Sequence, residues 1–450
     1  MTCSNLKHHV KEKMAASRQA RRLYTCLSRF SCALFVFASL AVGKESFSRQ
    51  VSMHYNPGCN ITECQSSPSN DNDTHNNLVH ILARGSRDSI HYVWSTIGAP
   101  TVLMVHTTSK ESELKVDWEK LLTTNGDNSG AITFEPSNEV DFSMAVMFNK
   151  IWEYEDLHDK SELPEDDTEM FEPYDLSQMR WGDFNLTMNT TGLTGNFTGA
   201  TTQSDMESLF QNGSISFRIH AFKTDDRSAD LPHLQYTSNQ TQFDFTIDSV
   251  EPRGNMSRYA MELMLLTEDK HLDLKKMKSI DDEYTPGVFE LFELTMTHSD
   301  QTDSYVQWKP VCYTKSTRSM AVATPTKTYK LKDLDTTSIP ADTIARAYFT
   351  NLDRLQRKAL NVSFGLTGDG SYVASNFTSW TASVGYGEPP SERLSLLIII
   401  VISTGLGIPV VIIMFGGLFI CCRQKDGDKG KKEIMDEYPT VNGGETDAIN

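Results

Sequence analysis

Cysteine is scarce in this chain of 450 residues: of eight, only Cys59, Cys64 and Cys312 lie between residues 44 and 420. A disulfide-scaffolded small domain is thereby excluded, and stability has to come from a hydrophobic core. Cys59 and Cys64 are close enough in sequence to form a small loop disulfide, which leaves Cys312 odd. Basic charge is short as well, with 42 Lys and Arg against 59 Asp and Glu and a net charge of −17. Residues 1–43 hold seven basic residues and one acid and the tail 423–450 five and seven, leaving −21 for residues 44–422. So acidic a body repels nucleic acid and anionic membrane surfaces. An acidic compartment would relieve part of its self-repulsion, because carboxylates begin to protonate near pH ~4–5.

Catalytic signatures are missing too. There is no G-x-S-x-G elbow, no H-E-x-x-H helix and no phosphate-binding G-x-x-x-x-G-K-[ST]. Cys312 has no nucleophile signature around it and reads as a buried structural thiol. Asp281, Asp282 and Glu283 could supply a general acid and base. Adjacent carboxylates on a strand cannot all face one pocket, so a structural turn is the better reading. Glu153 to Asp175 holds eleven acids and one Lys without the spacing of an EF-hand. It reads as a solvated loop and as a natural internal boundary near residues 153–180. No metal or cofactor is expected.

What the chain does possess is one long apolar run. Residues 394–422 contain no charge, and at ~1.5 Å per residue a helix of that length exceeds the ~30 Å hydrocarbon core. Arg423, Lys425, Lys429, Lys431 and Lys432 follow it, and only Arg393 precedes it closely. Excess basic charge marks the cytoplasmic side, so the tail 423–450 is expected in the cytosol and the N-terminal body in a lumen or outside the cell. Ser403 and Gly407 form a small-xxx-small pair suited to helix packing, and Pro409 is a candidate kink. Cys421 and Cys422 sit where palmitoylation is chemically reasonable. Residues 1–43 read as a signal peptide, with Met14 an alternative start that gives a more ordinary length.

Ten N-x-S/T sequons fall between these segments, at Asn60, Asn72, Asn185, Asn189, Asn196, Asn212, Asn239, Asn255, Asn361 and Asn376. All lie on the side that the basic flank independently marks as lumenal, which indicates a glycosylated ectodomain. Apolar residues alternate at Ile215–Ala221, at Phe243–Ile247, at Leu114, Val116 and Trp118, and at Leu360–Leu366. Period-two alternation predicts half-buried antiparallel strands, the last of them turning Asn361 outward. A helix is expected near Ile344–Ala359. The expected fold is mainly β: an antiparallel β-sandwich-like ectodomain over residues 44–390, with room for two β-rich subdomains, plus a single C-terminal transmembrane helix. Gly385–Pro390 forms a short stalk. In the tail, Tyr438 and Val441 have the spacing of a tyrosine-based sorting signal read by clathrin adaptors.

Several short motifs resemble the glycosylated lysosomal membrane protein family. They are RQVS at 49–52, IHYVWS at 90–95, EPRGN at 251–255, SIDDEY at 279–284 with VFEL at 288–291, QWKPV at 307–311, RAYF at 346–349 and NVSFG at 361–365. They cover most of the ectodomain in the family's order. The resemblance implies a type I lysosomal membrane glycoprotein acting as a non-enzymatic accessory subunit of a multi-pass major-facilitator transporter handling dipeptides. The ectodomain would shield that partner from lumenal proteases, and the two proteins would stabilise each other; a homodimer is also compatible. The vertebrate-like pattern has further lumenal cysteines and a sorting tyrosine nearer the C-terminus than Tyr438. Two alternatives of other classes stay open: an endosomal or cell-surface receptor or adhesion glycoprotein, and a membrane-tethered lumenal hydrolase.

Overall fold

A computed structural model describes residues 49–434, apart from 66–74, 124–126, 165–166, 183, 189–191, 202, 205, 269–270, 280–283, 299–300 and 391–395. Two antiparallel sheets face each other. The first runs in the order Gln50–Tyr55, Leu78–Arg84, Ser89–Ser95, Thr101–Thr107, Val140–Glu155, Ser257–Thr267, Gln356–Phe364. The second runs Asn185–Met188, Gly192–Thr201, Ser214–Phe222, Gln240–Asp248, Phe377–Tyr386, Gln301–Trp308, Glu290–His298, His271–Lys278. Ala323–Thr328 pairs both with Val311–Tyr313 of the second sheet and with Gln356–Phe364 of the first, and so joins the two along one seam.

The alternation read from the sequence points into the space between the sheets. Ile215, Phe217, Ile219 and Ala221 meet Phe243, Phe245, Ile247 and Trp380 from one side, and Trp94, Met104, Phe148, Leu263 and Val362 from the other. Burying each such side chain contributes about 1.5–3 kcal/mol, so this shared core dominates the fold's stability.

The first sheet is covered on its outer face as well. A hairpin of Glu113–Val116 and Ile132–Glu135 and two short helices, Trp118–Leu121 and Ile344–Tyr348, pack a second core against Leu103, Val105, Met147 and Leu266. With cover on both faces, every residue of Ser89–Ser95 and Thr101–Thr107 is buried.

Three local expectations change. Trp118 does not continue the strand: the Asp117 carboxylate accepts the Lys120 N–H and opens a helical turn that buries the indole. The helix expected over Ile344–Ala359 stops at Tyr348, since from Gln356 the chain is held by ladder bonds to Ser257–Thr267. Leu366 falls beyond the end of Gln356–Phe364 and is exposed.

A bulge decides the fate of the acidic stretch. Register shifts between Glu262 and Leu263, leaving Asn149 as the extra residue on Val140–Glu155. Met144, Val146 and Phe148 face the intersheet core before the bulge, and Ile151 does so after it. The shifted parity carries Glu153 inward, where its side chain is fully buried.

Candidate functional site

Eight sequon asparagines lie among the described residues; Asn72 and Asn189 lie outside them. Asn60, Asn185, Asn212, Asn255 and Asn376 are exposed, and Asn196, Asn239 and Asn361 are half-buried. Register places Ser214, Asp248 and Phe377 side by side, so Asn212 and Asn376 sit at one end of the second sheet. Asn255 enters its strand at the same end: Tyr372 packs edge-on against Tyr259 at 4.7 Å and accepts the Val250 N–H. Asn376 holds φ +51°, a left-handed conformation that asparagine tolerates well. Asn239 is at the opposite end, beside the origin of the stalk, where its Oδ1 accepts from Arg49 Nε. Asn361 shares its face with Glu262, which Asn149 holds at 2.7 Å, and this crowding buries the Asn361 Oδ1 instead of leaving it fully outward.

Several of the motifs that carry the resemblance hold the fold together among the described residues. Arg253 of EPRGN donates its Nε (2.7 Å) and backbone N–H (2.6 Å) to Glu153, which also accepts from Tyr174 (2.8 Å) and Ser257 (2.6 Å). The Arg253 guanidinium also lies over the rings of Phe171 and Tyr174. Arg258, 1% exposed, donates to Asp156 (2.7 Å), Asp159 (2.7 Å) and Asp369 (2.9 Å). These two arginines pin the acidic stretch to the body, so Glu153 and Asp156 are not solvated. Gly365 of NVSFG has φ +112°, and a Cβ there would run into the Arg258 guanidinium. Arg346 of RAYF donates to the carbonyls of Thr336, Ile339 and Pro340. No single sequence signal pairs Arg253 and Arg258 with their carboxylates, which lie about a hundred residues away in the chain, whereas Arg346 finds its carbonyls within ten residues.

The titratable clusters are closed. His80 Nε2 meets His91 Nδ1 at 3.0 Å, and His91 Nε2 meets Ser112 Oγ at 2.6 Å, all three buried. Burial, then the charges of Arg84 and His106, push the His91 imidazole down to about 3. His220 stands between Thr194 (3.2 Å) and Asp244 (3.1 Å). Asp244 is also paired with Arg318 at 2.8 Å, which makes it part of a structural ion pair. Cys312 is a buried free thiol, and desolvation pushes it far above the usual thiol range. Cys59 and Cys64 are disulfide-bonded, with Cα atoms 5.9 Å apart. No group of three or more His, Cys, Asp or Glu able to hold a metal is found among the described residues. Asp281, Asp282 and Glu283 lie outside the described residues.

The stalk end is tied down by charge. Tyr386 stacks on His106 at 4.0 Å, and His106 bridges Asp88 (3.2 Å) and Asp141 (3.0 Å). Arg49 of RQVS grips Asp88 at 2.6 and 3.0 Å. Burial alone would raise the Asp88 carboxyl, but hydrogen bonds from His106 and Arg49 hold it well below the ordinary range. The helix Leu396–Ile434 follows, and its apolar window Ile398–Gly417 is 20 residues long with none buried. That window spans about 30 Å, enough to cross a bilayer. Cys421 and Cys422 fall on the continuing helix with side chains outside the described set, and Tyr438 and Val441 lie outside the described residues altogether.

Comparison with known proteins agrees with this layout. The family model described as glycosylated lysosomal membrane protein matches residues 77–427. Glycosylated lysosomal membrane protein B of Xenopus laevis is 38% identical over 378 residues, 83% of this chain and 90% of that protein. The glycosylated lysosomal membrane protein of Danio rerio is 34% identical over 85% of this chain and 91% of its own length. That of Homo sapiens is 30% identical over 81% and 87%. With relatives named as membrane glycoproteins and one C-terminal helix of spanning length, the chain belongs to the glycosylated lysosomal membrane protein family.

Proposed function

We propose that this chain is a type I lysosomal membrane glycoprotein, with its β-rich body lumenal and its tail cytosolic. It acts as a non-enzymatic accessory subunit that stabilises a multi-pass major-facilitator transporter of the dipeptide type and protects it from lumenal proteolysis. The observation that carries this reading is the position of the sequons. Five of the eight described are exposed, spread over the ends and one edge of a closed β body held within a few residues of the spanning helix. Glycans dispersed in that way deny proteases access to backbone, both on the body and on whatever it covers. Glu153 and Arg253, His91 and Ser112, and Cys312 are all committed to packing, which supports a role without chemistry.

The test is affinity purification of the full chain from native membranes in mild detergent, with mass spectrometry of what co-elutes. A single multi-pass transporter in near-equal amount, depleted in cells lacking this chain, is the expected result. Recovery of adaptors and soluble ligands alone would refute the accessory role and favour a receptor.

A further inference from the structure

The sequons leave two long stretches bare, residues 73–184 and residues 256–360, and the second holds an open groove. None occurs between Asn255 and Asn361, although residues 256–360 include the strands His271–Lys278, Glu290–His298 and Gln301–Trp308 that end the second sheet. Within this region lies a groove of about 480 Å³ whose walls include Val288, Phe289, Pro310, Val311, Met320 and Pro325. Phe289 and Met320 stand 54% and 61% exposed at its rim, two large apolar side chains sharing one patch rather than scattered singly.

One further feature points to the occupant. The groove is near the membrane. Pro390, the last described residue of the stalk, has its carbonyl 3.5 Å from Gln307 Nε2, and Pro310 and Val311 follow Gln307 in the chain. The helix begins at Leu396, six residues on, so the bilayer entry is at most about 20 Å of chain from that contact. Lys276 and Lys275 of the neighbouring strand His271–Lys278 are answered locally, by Glu290 at 2.6 Å and by Asp273 at 4.0 Å, so charge does not single out an occupant and the apolar rim does. A rim this close to the spanning helix is within reach of a lumenal loop of a neighbouring multi-pass protein.

We propose that this sequon-free face is the docking surface for an apolar lumenal loop of the multi-pass membrane partner, seated in the groove beside Phe289 and Met320. The proposal rests on the accessory-subunit reading and adds the place of contact.

A photo-crosslinking amino acid placed at position 289, 320 or, as control, 186 in the full-length chain tests it in cells. Leu186 is exposed too, but on the sequon-bearing edge. Adducts from 289 and 320 that map to a lumenal loop of a multi-pass protein, with none from 186, are expected. The double variant Phe289→Asp, Met320→Asp should cut recovery of that partner by about ten-fold or more at unchanged chain level. Equal adducts from 186, adducts only with a second copy of this chain, or full recovery by the double variant would overturn the surface assignment alone. If the unmodified chain recovers no multi-pass partner, the accessory reading itself fails and this proposal with it.

Discussion

His91 gives the sharpest test of the electrostatics. Its ring is fully buried against Phe134, meets His80 at one nitrogen and Ser112 at the other, and is pushed from 6.5 down to about 3. A base whose folded pKa lies below its unfolded value destabilises the fold as pH falls, because the unfolded chain takes up the proton first. The loss begins near 6.5 and levels off near 3. At pH ~5 the unfolded chain is about 1.5 units below that pKa while the folded ring stays neutral, which costs about 2 kcal/mol at ~1.4 kcal/mol per unit. This figure does not depend on the exact folded value, provided that it stays below ~4. His80, also lowered by burial, then by His91 and His54, adds in the same direction. The depressed carboxylates Asp88, Asp244 and Asp369 act in the same sense but in a lower window: their contribution is present above the unfolded pKa and is lost only at more acid pH, so they are silent between pH ~7.5 and ~5. The variant His91→Gln should therefore lose about 1–3 kcal/mol at neutral pH, from disturbing Ser112 and His80, yet fall less steeply on acidification by about 2 kcal/mol. Urea unfolding in detergent reads this directly, since all six tryptophans lie between Trp94 and Trp380. Parallel wild-type and variant curves from pH ~7.5 to ~5 would refute the reasoning.

Three further outcomes are expected. Replacing Arg258 by Met strands Asp156, Asp159 and Asp369 together, at a cost of about 3–5 kcal/mol, and should open the stretch 156–175 to limited proteolysis before the rest of the body. Cys312 should resist maleimide in the native chain and react fully in denaturant; labelling of the native protein at the rate of an exposed thiol would contradict its burial. Tyr438→Ala should shift the steady-state protein from lysosomes to the plasma membrane by surface biotinylation, and an unchanged distribution would remove the sorting role from Tyr438 and Val441.

Much of this protein was legible residue by residue. Strands such as Ser214–Phe222 and Gln240–Asp248 pack one face and expose or cover the other, so a period of two marks them in the sequence. The apolar run from 394 to 422 needs no partner to be recognised, because its length and lack of charge are set by the bilayer alone. Sequons and cysteine scarcity are likewise one-dimensional facts. Tertiary structure decided what depends on meeting a distant residue. One extra residue at Asn149 reversed the parity of its strand and buried Glu153 on Arg253, although the local composition read as solvent-facing loop. Arg258 draws its carboxylates from two segments about two hundred residues apart, Asp156 and Asp369. Only a second layer over the first sheet explains why Ser89–Ser95 is buried on both faces and why His91 is held neutral there. The bare face around Phe289 and Met320 belongs to the same class: its sequon gap is written in the chain, but the groove and its nearness to Pro390 exist only once the sheet has formed.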